Sequence, residues 1–100
     1  MDFQTHIGQI RRMLNRLVRS AESIDGPDQI GRLRECVRGM RRLLRPMRDT
    51  AAVLSGLRDA LPENCSEARN MLTHVLADLH TLRRTTVKRI RRLNRPDHDS

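Results

Sequence analysis

Four histidines, His6, His74, His80 and His98, and two cysteines, Cys36 and Cys65, have the widest chemical repertoire in this sequence. Metal ligation from one helix needs pairs at i, i+3 or i, i+4, and no two of these histidines have that spacing. His74 and His80 are six residues apart, which puts them on different helical faces. The cysteines match no zinc or redox pattern. The five glycines are scattered, so no phosphate-cradling loop forms, and no Ser, Cys or carboxylate has a recognisable base beside it. The residues therefore predict a non-enzymatic protein with no metal and no cofactor.

Anion binding is the chemistry the chain has in quantity. Nineteen Arg and one Lys stand against twelve acids, for a net charge of +8. Arg remains charged at any working pH and grips phosphate or carboxylate with a two-pronged fork. The stretch "TLRRTTVKRIRRLNR", residues 81–95, holds seven basic residues and no acid. Such a surplus suits nucleic acid, an anionic membrane or an acidic protein surface. Two plainer origins stand beside these: a GC-rich genome, and a solvated face whose charge prevents aggregation.

The elements that carry these cations are helices. One Phe, no Tyr and no Trp exclude an aromatic-centred interior, and the abundant Leu, Met and Ala are good helix formers. Phe3, Ile7, Ile10, Leu14, Leu17, Ala21 and Ile24 alternate by four and three, which keeps one seam facing a partner. "DGPD", residues 25–28, breaks that helix, with Asp28 as the expected N-cap of the next. A second seam runs through Ile30, Leu33, Val37, Met40, Leu44, Met47, Ala51 and Leu54, and continues to Leu57 and Leu61. Pro46 lies within it. Because the heptad holds phase on both sides of this proline, one kinked helix is expected rather than two. "LPENCSE" makes the second bend, with Asn64 as N-cap and Glu67 three residues on. The third seam is Cys65, Ala68, Leu72, Val75, Leu79 and Leu82, loosening through Thr86, Ile90 and Leu93 to Pro96.

The expected fold is all-α: one domain over residues 1–96, with helices at about 3–24, 28–61 and 64–94 and a frayed tail at 97–100. Short bends force neighbouring helices antiparallel, giving a three-helix bundle with one kinked long helix. The first helix is expected to cover the second only to about Pro46. A bare two-helix hairpin would then protrude, with Leu54, Leu57, Met71, Leu72 and Leu76 on its uncovered stripe. Soluble monomers seldom leave such a stripe open, so self-association through this end is expected.

The same folding gathers eighteen of the twenty basic residues at the other pole. Anion contacts are expected from Arg11, Arg12 and Arg16 on the first helix and Arg34, Arg38, Arg41, Arg42 and Arg45 on the second. The third helix adds Arg83, Arg84, Lys88, Arg91, Arg92 and Arg95, and Arg19, Arg32, Arg48 and Arg89 complete the cluster. Between Asp49 and Leu82 there are five acids and two Arg, so the hairpin end is mildly negative. An unneutralised cluster costs folding stability unless a bound polyanion relieves it.

From Ile30 onward the chain resembles the cytoplasmic helices of CorA-type magnesium transporters. The likeness is carried by "MRRLLRPMRDTAAVL", with Pro46 inside a long helix, by "LP" at the turn, and by the stalk-like "NMLTHVLADLHTL". It covers about half the chain and implies a helical hairpin and stalk that assemble around a symmetry axis. The two membrane helices and the Gly-Met-Asn signature of those transporters have no counterpart in these residues. The resemblance therefore implies architecture without transport, and it assigns no ion site.

No apolar run approaches the roughly 20 residues needed to span a bilayer, and the start shows no signal-peptide core, so a cytoplasmic protein is expected. No helix-turn-helix, zinc-finger or RNA-recognition pattern appears, and aromatic stacking platforms are missing. What remains is phosphate contact by Arg-rich helices. The expected function is binding of an anionic partner, most simply nucleic acid, by a homo-oligomer. The alternative is a protein-interaction or assembly module related to the CorA cytoplasmic helices.

Overall fold

The structure, a computed structural model, describes residues 3–24 and 26–94. Among them are three α-helices, α1 (Phe3–Glu22), α2 (Ile30–Ala60) and α3 (Ser66–Asn94), and no strand. Arg95, Pro96, His98 and the expected frayed tail lie outside the described residues, as does Asp25 of the first bend.

α1 ends where its apolar repeat runs out. The Ser23 and Ile24 amides donate to the carbonyls of Arg19 and Ala21, and the Ser23 hydroxyl donates to Ser20, so its last carbonyls are partly satisfied. A single 3-10 turn, Pro27–Gln29, then leads into α2. The expected cap at Asp28 moves one residue on: Gln29 occupies the N-cap position and makes no side-chain capping bond. The proline-led turn supplies the entry instead, with the Gln29 amide bonded to the Gly26 carbonyl at 3.1 Å.

α2 runs unbroken through Pro46 for 31 residues, about 46 Å at the standard rise. It stops where Leu61 turns extended ahead of Pro62. The second bend is tight, with the Cys65 amide on the Pro62 carbonyl at 3.0 Å. The first α3 bond runs from the Arg69 amide to the Cys65 carbonyl, so Cys65 and not Asn64 stands at the start of α3.

The two bends make α2 antiparallel to both neighbours and leave α1 parallel to α3. The start of α1 (Gln4, Ile7, Arg11) borders a cleft with Val75 and Asp78. Its end (Val18, Ala21, Glu22) borders one with Arg89, Arg92 and Leu93. The result is a rod of 58 × 25 × 16 Å.

One apolar core runs along it, from Ala21, Cys36 and Ile90 near one end to Leu54 and Leu76 toward the other. Met40, Met47, Leu54, Leu79 and Thr86 are sealed from solvent. Thr86 is polar, and its hydroxyl donates to the Leu82 carbonyl at 2.7 Å, which removes the cost of an unpaired buried donor.

The first helix reaches further than the sequence predicts. Because its start stands beside Val75 and Asp78, three helices pack well past Pro46, and the two-helix portion shrinks to the tip around the second bend. Leu54 and Leu76, expected on the open stripe, are instead core residues, filling the space between the helices where α1 begins. Leu57 and Met71 are exposed, at 45% and 61%, and Leu72 is half-buried.

Candidate functional site

Helical geometry sorts the cations into separate faces. Arg34, Arg38, Arg41, Arg45 and Arg48 follow one another by four, three, four and three residues on α2 and are all exposed. That spacing lays them along one stripe about 21 Å long. Arg42 lies off the stripe, and Arg32 stands exposed on the first turn of α2. On α3, His80, Arg84, Val87 and Arg91 repeat the four-three-four spacing. With Arg83 and Lys88 they line a shallow depression of about 340 Å³.

These two rows share a side of the molecule. α1 rests on the Gly39 azimuth of α2, where the Leu17 methyl carbons lie 3.0 Å from an added Cβ. Arg41 is about 160° around the helix from Gly39, so it faces away from α1. On α3 the α1 side is marked by Arg89 and Leu93, and Arg91 is about 160° from either. Both rows therefore border the α2–α3 seam on the face that α1 leaves open.

The remaining cations are elsewhere. Arg12, Arg16 and Arg19 are exposed on the outer face of α1, opposite its buried Ile10, Leu14 and Ala21. Arg11 borders the α1–α3 cleft with Asp78, and Arg89 and Arg92 border it with Glu22. Sequence reasoning gathers eighteen cations at a pole. Arg95 lies outside the described residues, and the folded chain spreads the cations placed above over the α2–α3 face, the outer face of α1 and the two α1–α3 clefts, which also hold Glu22 and Asp78.

Few of these charges are neutralised. Among the described residues the ion pairs are Arg45–Asp49 at 4.0 Å and Arg58–Asp59 at 3.5 Å. No carboxylate of a described residue comes within 4.0 Å of the cations of α1 or α3. Arg45 and Asp49 are strongly exposed, so their contact screens the stripe only weakly.

The tip has a different character. Leu57, Leu61, Ala68, Met71 and Leu72, with Glu67, form an open, mainly apolar groove. Leu57 is about five full turns from Gly39, and Met71 about five from Arg89, so the groove continues the surface on which α1 lies. Leu61 and Ala68 join the expected Leu57, Met71 and Leu72. Ala68 sits within the third apolar repeat, but its exposure depends on where α1 begins, which the repeat does not encode.

Cys36 is buried and Cys65 half-buried, both as free thiols. Among the described residues no three His, Cys, Asp or Glu side chains stand close enough to share a metal ion, and no helix is long and apolar enough to cross a membrane. The chain matches no protein-family model, and comparison with curated proteins and with solved structures yields no significant match.

Proposed function

We propose that this protein is a non-enzymatic, cytoplasmic binder of an anionic partner, most simply nucleic acid, held by Arg side chains. The observation that supports this reading is the α2 stripe from Arg34 to Arg48, five exposed guanidinium groups whose only carboxylate contact among the described residues is the marginal one to Asp49. Repulsion along the stripe weakens the free protein, and phosphate contact reverses it with release of counterions. Six phosphate contacts lower affinity by roughly a thousandfold between 50 and 200 mM salt. Anisotropy of a labelled nucleic acid across a salt series tests the reading. Steep loss of affinity with salt is expected, and negligible affinity at low salt would refute it.

A second reading is favoured by the apolar groove at the tip: a homo-oligomeric assembly module, a soluble relative of the CorA-type cytoplasmic helices without transport activity. Leu57 and Met71 are large, exposed and adjacent to Leu61 and Leu72, which is the composition of a helix-docking surface. Light scattering at tens of micromolar separates the two readings, because a strict monomer removes the second and leaves the first untouched.

A further inference from the structure

We infer that the α2–α3 face turned away from α1 is a docking surface for double-stranded nucleic acid, which it holds by its phosphates through two rows of cations. The inference rests on the proposed anion-binding function and narrows it to one face and one class of partner.

The face is built from Arg34, Arg41 and Arg48 on α2 and Arg84, Lys88 and Arg91 on α3, all exposed. Successive members of the α2 row are seven residues, or about 10.5 Å, apart. Because the helices are antiparallel about a bend at residues 61–65, Arg34 stands near the level of Arg91 and Arg41 near that of Arg84. Packed helices have axes about 8–10 Å apart, so the two rows run side by side at a separation of that order. Two lines of charge at this spacing match the two phosphate strands that flank a duplex groove. A lone strand offers one line.

The side chains between the rows point the same way. A single strand is held by stacking its bases on aromatic rings, and this face has none. The chain's one aromatic residue, Phe3, is half-buried on α1 and packs against the core. Val87 is the half-buried apolar member of the α3 row, too small and too recessed to enter a membrane. In a duplex the bases are already stacked on each other, so a surface that offers only phosphate contacts loses nothing there. Among the described residues that line the depression, the hydrogen-bonding side chains are His80 and the cations, so binding is expected to be indifferent to base sequence.

The outer row of α1 provides a control of equal charge. One variant carries Arg41→Gln, Arg84→Gln and Arg91→Gln, the other Arg12→Gln, Arg16→Gln and Arg19→Gln. Each loses three positive charges from exposed positions, and thermal melts by circular dichroism check that both still fold. Anisotropy is read with a duplex of about 20 base pairs, some three times the stripe's length, and with a single strand carrying as many phosphates. The wild type is expected to bind the duplex at least tenfold more tightly than the single strand. The α2–α3 variant should lose at least tenfold, with a salt slope shallower by about two to three, while the α1 variant loses less than threefold. Equal losses in the two variants, or equal affinity for the two probes, would overturn the inference while leaving the anion-binding reading intact. A wild type that binds neither probe at low salt would overturn that reading itself, and the inference with it.

Discussion

Leu17 of α1 closes directly over Gly39 of α2, its two methyl carbons standing 3.0 Å from where a Cβ on Gly39 would be. The glycine lets α1 lie close, and the contact sets the side of α2 that α1 occupies. Gly39→Ala gains about 1 kcal/mol of helix propensity and crowds Leu17 by a similar amount, so it should change stability little. In a Leu17→Ala background the crowding is gone, and the same substitution should stabilise by about 1 kcal/mol. A urea double-mutant cycle reads the difference directly.

Leu76 and Met71 are five residues apart on α3, one sealed in the core and the other exposed. Leu76→Asp buries a charge with no partner and should abolish the cooperative melt. Met71→Asp or Leu57→Asp should leave helicity and melting temperature nearly unchanged and reduce any self-association. Circular dichroism and sedimentation velocity on the three variants separate fold from assembly.

Thr86 spends its hydroxyl on a bond within its own helix, to Leu82. Thr86→Val keeps the shape and removes both the donor and the need for it, so stability should stay within about 1 kcal/mol of wild type. Thr86→Ala leaves a hole beside fully buried neighbours and should cost about 1–2 kcal/mol by urea denaturation.

The uncompensated Arg rows make the free protein sensitive to ionic strength. Its melting temperature should rise by several degrees as salt screens the repulsion, because the Debye length falls from about 30 Å at 0.01 M to roughly 8 Å at 0.15 M. The triple Gln variant of the α2–α3 face should melt higher than wild type at low salt and converge with it at high salt. Calorimetry at two salt concentrations checks both.

Much of this fold is legible in the residue spacing, because each helix has an apolar repeat and each bend a proline. Ile7, Ile10, Leu14 and Ala21 are buried as their four-three spacing predicts. The α2 repeat is less complete. Cys36 and Leu43 are buried although they lie outside its seam, because α2 packs on two neighbours and its apolar face is wider than one seam. Ile30 belongs to the seam and is 48% exposed, since the rod ends beside it. The reach of α1, and with it the burial of Leu54 and Leu76, depends on packing register, which spacing alone does not encode. The candidate site shows the same division. The Arg34–Arg48 stripe can be read from the text, but which side of α2 it occupies relative to α1 follows only from contacts such as Leu17 on Gly39.

The tip groove continues the side of the α2–α3 pair that carries α1, and the two Arg rows occupy the reverse side. Occupying one therefore does not obstruct the other. Copies joined at their tips would present two cationic surfaces on a single particle, and a polymer long enough to touch both would be held by avidity, a gain in residence time that requires no additional contact.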